Sequence, residues 1–102
     1  MPEPTERFDL DEALRRILDE PSTAARIVLA AADSLDEHPH LTITPFDRGY
    51  AAQAGVTAVT KGMPAVVAEE AIRAAFLAMP TPYLAETCGE YALRLRDVAR
   101  EL

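Results

Sequence analysis

Hydrophobic positions recur at helical spacing along most of this chain, and prolines and capping residues divide the pattern into five predicted helices. The predicted helices span about residues 5–20, 22–37, 45–61, 64–79 and 81–102. Residues 38–44 lack this spacing, and we expect them to form one extended loop. The pattern therefore predicts an all-α fold, a compact bundle of about five helices with short connections.

The first predicted helix carries its apolar residues on one face. These residues are Leu10, Ala13, Leu14, Ile17 and Leu18. Pro21 ends the helix, because a residue that precedes proline disfavours helical backbone angles. The spacing therefore predicts an amphipathic helix over residues 5–20.

The helix predicted over residues 64–79 is almost entirely apolar. Its only charged residues are Glu69, Glu70 and Arg73, which fit within about 100° of arc around the helix. We therefore expect this helix to lie at the centre of the bundle. The sequence also predicts the connection before this helix, because Gly62 suits the position after a helix end and Pro64 suits the first position of a new helix.

The last predicted helix contains a regular apolar stripe. Its members are Leu84, Cys88, Tyr91, Leu95, Val98 and Leu102. They follow one another in alternating steps of four and three, which is the spacing of a heptad repeat. Most such stripes pack into their own domain, but this one is also our candidate interaction face, for a partner protein or for a second copy of the chain.

Length and charge narrow the class of protein. The chain has 102 residues, which suits one helical domain over 1–102, with residues 1–4 expected to be disordered. The net charge of −7 disfavours nucleic acid and anionic membranes as partners. The single cysteine, Cys88, excludes an intrachain disulfide, and no apolar run is long enough to cross a membrane. We expect a cytoplasmic protein, and the abundance of Ala, Arg, Asp and Glu over Lys suggests a GC-rich bacterial genome.

In one segment an alanine precedes a Gly-hydrophobic-Thr turn, and a second threonine follows three residues later. The residues of this pattern are Ala54, Gly55, Val56, Thr57 and Thr60. The segment resembles the turn of helix-turn-helix DNA-binding proteins, including TetR-like and LacI-like regulators. The resemblance implies that a recognition helix begins near Thr57 and that Thr57, Thr60 and Lys61 face the DNA groove.

A continuous helix over residues 46–61 explains the same segment differently. Gly62 and Pro64 then end one helix and start the next, whereas they would stop a recognition helix after about one and a half turns. In the continuous helix, Ala51 and Gly55 form a pair of small residues suited to close packing. We favour this interpretation, and a sharp corner near Gly55 would overturn it.

The sequence gives little support for a metal site or a catalytic site. His38 and His40 lie beside acidic residues, but a structural zinc site needs four ligands and the chain has no other histidine. Cys88 lies on the apolar stripe, without an evident general base. We therefore expect no metal, no cofactor and no catalytic residue. The favoured function is a non-enzymatic helical interaction or adaptor module, and the alternative is a small helix-turn-helix DNA-binding transcriptional regulator.

Overall fold

The structure is a computed structural model that describes residues 21–102. The described residues contain four helices and no β-strand. The helices are α1 (Thr23–Leu35), α2 (Pro45–Thr60), α3 (Ala65–Ala78) and α4 (Cys88–Arg100). The all-α class is thus confirmed. The fifth predicted helix, over residues 5–20, and the prediction for residues 1–4 lie outside the described residues.

Helix α1 is the centre of the bundle, and each of the other three helices packs against it. Its Ile27 and Val28 are completely buried, and alanines make up much of the remaining core. Ser22 caps the start of the helix, because its hydroxyl accepts a hydrogen bond from the Ala25 amide at 3.1 Å. This buried helix matches the one that was predicted over residues 22–37.

The prediction that the helix over residues 64–79 lies at the centre is wrong. Within α3, only Ala71 and Ala75 are buried, and Val66 and Leu77 point into solvent. A helix that is apolar on nearly every side carries no pattern that says which side packs inward. The alanine side is the one that approaches α1, and the larger side chains remain outside.

Helices α1 and α2 approach one another at Gly55. A β-carbon built on Gly55 would lie 2.5 Å from the carbonyl oxygen of Ile27 and 3.1 Å from the amide nitrogen of Ala31. Only glycine therefore fits this crossing without a shift of one backbone. The flanking contacts come from Ala51 and Ala52, which are also buried.

Helix α2 runs unbroken through Gly55, which confirms the continuous helix predicted over residues 46–61. It ends at Thr60, and Gly62 adopts a left-handed backbone angle with φ of 81°. Pro64 then occupies the capping position of α3, one residue earlier than predicted. The sharp corner that a helix-turn-helix interpretation needs near Gly55 is not formed.

Helix α4 begins at Cys88, seven residues after the predicted start at Thr81. Pro80 and Pro82 lack the amide hydrogens that helical turns need, and the chain between α3 and α4 forms a loop instead. Thr87 then starts α4 through a capping box with Glu90, in which each side chain accepts a hydrogen bond from the other's backbone amide.

The loop over residues 38–44 has a partner that the sequence did not indicate. Thr42 forms an isolated antiparallel bridge with Thr87. The Ile43 amide donates to the Glu86 carbonyl at 2.9 Å, and the Cys88 amide donates to the Leu41 carbonyl at 2.7 Å. These bonds join the loop before α2 to the start of α4.

The Gly55 crossing predicts a clear difference between two glycines of the same helix. Gly55→Ala should reduce the free energy of unfolding by about 1–3 kcal/mol, because its methyl group collides with the backbone of α1. Gly49→Ala should instead raise it by roughly 0.5–1 kcal/mol, because nothing lies within 4 Å of a β-carbon there. Urea unfolding of both variants tests the prediction, and an equal response of the two would contradict it.

Candidate interaction surface

Two aromatic rings stand in solvent at the start of α2. Phe46 is 78% exposed and Tyr50 is 68% exposed. Their ring centroids lie 6.4 Å apart with 20° between the ring planes, as one helical turn separates them. Leu41, on the preceding loop, is also exposed. Large apolar side chains grouped in this way on a surface mark candidate interaction sites.

These side chains surround a pocket of about 350 Å³, which we call the aromatic pocket. Its apolar lining consists of Leu35, Leu41, Phe46, Tyr50, Ala51 and Cys88. Its polar lining consists of Ser34, Glu37, His38 and Asp47. The pocket lies where the end of α1, the loop before α2 and the starts of α2 and α4 meet.

A capping box holds the first turn of α2, the helix that carries both rings. The Asp47 amide donates to the Thr44 hydroxyl oxygen at 3.1 Å, and the Thr44 amide donates to the Asp47 carboxylate at 3.0 Å. Pro45 occupies the first helical position, where its fixed φ suits the helix. The pocket wall is therefore preformed.

The rim of the aromatic pocket carries negative charge. Glu37 and Asp47 both line it, and neither forms an ion pair within the described residues. The neighbouring acids Asp33 and Asp36 differ, because the Arg96 guanidinium pairs with both carboxylates. Donation of hydrogen bonds to these carboxylates raises the pKa of Arg96, and the bond to Asp36 has a larger effect than the bond to Asp33.

Cys88 lines the aromatic pocket and is 4% exposed. Burial raises the pKa of its thiol, and the negative charge of Asp47 raises it further. The neutral thiol is a weak nucleophile, because the thiolate is the reactive form. Cys88 is thus part of the packing at this site.

A second polar cluster anchors the loop between α3 and α4. The Arg48 guanidinium donates to the Met79 carbonyl at 3.0 Å and to the Tyr91 hydroxyl at 3.1 Å. That hydroxyl in turn donates to the Pro80 carbonyl. The positive charge of Arg48 therefore lies at the carbonyl end of α3, where the helix dipole favours a cation.

A buried glutamate completes this anchoring. Glu86 is 6% exposed, and its carboxylate pairs with Arg94 at 2.6 Å and accepts from the Tyr83 amide at 2.9 Å. The Arg94 guanidinium also lies 3.8 Å from the centre of the Tyr83 ring. Between residues 21 and 102, every buried side-chain nitrogen or oxygen has a hydrogen-bond partner. The cluster is therefore satisfied, and it supports the loop.

The structure separates the residues of the predicted interaction face. Cys88, Tyr91 and Leu95 are buried within this chain, Val98 is half-buried, and Leu102 is exposed at the end. Leu84 lies on the loop before α4 and is fully exposed. The stripe mainly packs against α1, so its central residues are not available to a partner. The prediction of an interaction face is therefore wrong for Cys88, Tyr91 and Leu95.

The residues of the DNA-binding alternative lie on the last turn of α2 and just after it. The Thr57 hydroxyl donates to the Gln53 carbonyl at 3.0 Å, and the Thr60 hydroxyl donates to the Val56 carbonyl at 2.6 Å. Lys61 follows the helix as its cap. These residues do not form a separate recognition helix, and Gly55 serves as a helix crossing instead of a turn.

His38 and His40 are both exposed, and only His38 lines the aromatic pocket. Over residues 21–102, no group of three or more His, Cys, Asp or Glu residues has a geometry that could hold a metal ion. None of the four helices described is long and apolar enough to span a bilayer.

The two exposed rings of the aromatic pocket were not predicted from the sequence as an interaction site. Phe46 and Tyr50 are four apart at the start of a predicted helix, which was a readable signal for neighbouring rings. Arg48 and Tyr91 are 43 residues apart, and no local pattern connects them.

The comparisons with family models, curated proteins and solved structures gave no match to this chain.

The tyrosine that anchors the loop gives one testable prediction. Tyr91→Phe should reduce the free energy of unfolding by roughly 0.5–1.5 kcal/mol, because the two hydrogen bonds of its hydroxyl are lost while the bond from Arg48 Nε to the Pro80 carbonyl remains. Tyr83→Phe is the matched control, since its ring remains against Arg94, and it should change stability by less than about 0.5 kcal/mol. Thermal and urea unfolding of both variants measures the difference, and equal losses would contradict the role of Tyr91.

The buried thiol gives a second prediction. Iodoacetamide at pH 8 should modify Cys88 at least about tenfold more slowly in the folded protein than in urea, because burial and a raised pKa both suppress the thiolate. Mass spectrometry of timed samples measures the two rates. Equal rates would show that the thiol is open and ionised in the folded protein.

Proposed function

We propose that this protein is a non-enzymatic protein-interaction module and that a partner segment binds at the aromatic pocket. The observation that carries the proposal is the pair of exposed, stacked rings, Phe46 and Tyr50, at the edge of that pocket. Aromatic side chains are enriched at the buried centres of protein interfaces and supply much of their binding energy.

The free energy available at this surface is considerable. Complete burial of a side chain as large as phenylalanine contributes about 1.5–3 kcal/mol, and most of the Phe46 surface is still exposed. The pocket is at the small end of the range for ligand sites, which extends from about 300 to 1,000 Å³. It therefore suits one or two apolar side chains of a partner segment.

The negative charge at the rim of the aromatic pocket indicates which residues flank the apolar side chains of the partner segment. Glu37 and Asp47 present carboxylates beside the aromatic pocket, in a chain with a net charge of −7. Complementary charge favours association and disfavours partners of like charge. The partner segment that fits best has an apolar anchor with lysine or arginine next to it.

The state of the polar groups supports binding rather than catalysis. The Cys88 thiol is held in its neutral form, and the clusters around Arg48 and Glu86 have their hydrogen bonds satisfied within the domain. A nucleophile with an adjacent base is the arrangement that hydrolytic chemistry needs. The pocket offers rings and carboxylates, which serve recognition.

Selection from a random twelve-residue peptide library tests the proposal. The intact protein should enrich peptides that combine an aliphatic or aromatic anchor with lysine or arginine. The double variant Phe46→Ala/Tyr50→Ala should lose this enrichment, and an individual peptide should bind it at least about tenfold more weakly, a loss of about 1.4 kcal/mol. Titration calorimetry with one enriched peptide measures that affinity.

Leu93→Ala provides the matched control, because Leu93 is an exposed apolar residue of α4 that does not line the aromatic pocket. Its peptide enrichment and affinity should equal those of the intact protein. Glu37→Lys should weaken the binding of the same cationic peptide. Enrichment that is equal in the intact protein and the double variant, or that favours acidic peptides, would refute the proposed partner.

A further inference from the structure

Four exposed residues form a continuous stripe along the outer side of α3, which we call the α3 stripe. They are Val66, Glu70, Arg73 and Leu77. They follow one another in steps of four, three and four, which is the spacing of a heptad repeat, so they share one side of the helix. Val66 is 74% exposed and Leu77 is 82% exposed. The stripe therefore presents an apolar residue at each end and a pair of opposite charges in the middle.

The α3 stripe is complementary to itself when two copies of the helix run antiparallel. With the centre of the pair between Ala71 and Ile72, Val66 of one copy lies opposite Leu77 of the other, since both are equally far from the centre. For the same reason Glu70 of each copy lies opposite Arg73 of the other. A two-fold axis at the centre generates each of these contacts twice, as in any interface that joins the same patch of two subunits.

We propose that α3 is the interface of a homodimer in which the α3 stripes of two copies pack antiparallel. Two apolar contacts then lie on either side of two ion pairs at the centre. The occupant of this surface is a second copy because apolar residues meet apolar residues, and acid meets base, in one and the same register. The inference is independent of the function proposed for the aromatic pocket, which other helices form.

The central charges also select this register over its neighbours. A shift of one helix by about half a heptad in one direction places Glu70 opposite Glu70, and a shift in the other direction places Arg73 opposite Arg73. A parallel pair in register places both like charges together. Like charges that face each other across an interface are unfavourable, whereas charged or polar residues within a heptad stripe fix its register.

Both charged groups of the α3 stripe are available for such pairs. Within residues 21–102, neither Glu70 nor Arg73 forms an ion pair. Val67 and Ala74, which are also exposed, continue the apolar surface along one edge of the stripe. In the antiparallel register Val67 of one copy lies beside Ala74 of the other, where the small side chain allows the helices to approach.

The length of α3 limits the strength of this dimer. The helix has 14 residues and is therefore about 21 Å long. One pair of helices of this length buries less surface than the about 800 Å² per partner of a standard interface. We therefore expect a dimer that dissociates on dilution to about micromolar concentration.

Sedimentation velocity of the full chain between about 1 and 500 μM tests the proposal. The intact protein should pass from monomer to dimer over this range. Glu70→Arg should weaken dimerisation at least about tenfold, because two arginines then face Arg73 of the opposite copy, and Arg73→Glu should weaken it similarly. An equimolar mixture of these two variants should form a dimer again, since each acid then faces a base.

Restoration in the mixture distinguishes direct pairing from a loss of folding, because a variant that fails to fold is not rescued by another variant. Leu77→Asp should also weaken dimerisation at least about tenfold. Leu93→Asp is its control, because it places the same charge at an exposed leucine of α4, and it should dimerise like the intact protein. Urea unfolding should show that both variants remain folded.

Three outcomes would each overturn the proposal. An intact protein that is monomeric at about 500 μM has no such interface, and its α3 stripe is then solvated or covered by its own chain or by another protein. A dimer that Glu70→Arg and Arg73→Glu leave unchanged forms through a different surface. Two weakened variants that stay monomeric on mixing do not pair through these charges. The double variant Phe46→Ala/Tyr50→Ala should dimerise normally, so a failure of the aromatic pocket to bind peptides does not affect this result.

Discussion

The contact between Gly55 of α2 and the Ile27 carbonyl of α1 is the constraint on which the rest of the structure depends. A β-carbon on Gly55 would lie only 2.5 Å from this carbonyl oxygen. The two backbones are therefore in direct contact, which is possible only where one helix has no side chain. Ala51 and Ala52 continue this close packing along α2. The approach places the start of α2 beside the end of α1, and this juxtaposition creates the aromatic pocket.

Close helix packing also determines where the large apolar side chains lie. A core in which alanine is the commonest residue leaves little room for rings and long branches between the helices. Ile27, Val28, Tyr91 and Leu95 are the largest fully buried side chains, whereas several large apolar residues of α2 and α3 are exposed, among them Phe46, Tyr50, Val66 and Leu77. The exposed rings at the aromatic pocket and the exposed face of α3 are thus consequences of one packing solution, in which small residues form the helix crossings.

Local signals explain most of what could be predicted from this sequence. Proline at the start of α2 and glycine after its end bracketed that helix correctly, because both residues act through their own backbone geometry. The start of α4 was placed too early, although Thr87 and Glu90 carry a capping box that identifies it. The burial of α3 could not be predicted, since a helix that is apolar on most sides contains no directional pattern. The bonds from Arg48 to the carbonyl of Met79 and the hydroxyl of Tyr91 join residues more than thirty positions apart, so only the folded chain brings them together.

The two apolar surfaces of this domain differ in charge. The surface between the start of α1 and one side of α3 carries charges of both signs, from Glu70 and Arg73. The aromatic pocket lies at the other end of α1, beside the carboxylates of Glu37 and Asp47, which form no ion pair within residues 21–102. Under the proposed function, exposed rings beside carboxylates favour a partner segment that carries lysine or arginine. The acidic composition that argues against binding to nucleic acid would in that case favour cationic protein segments.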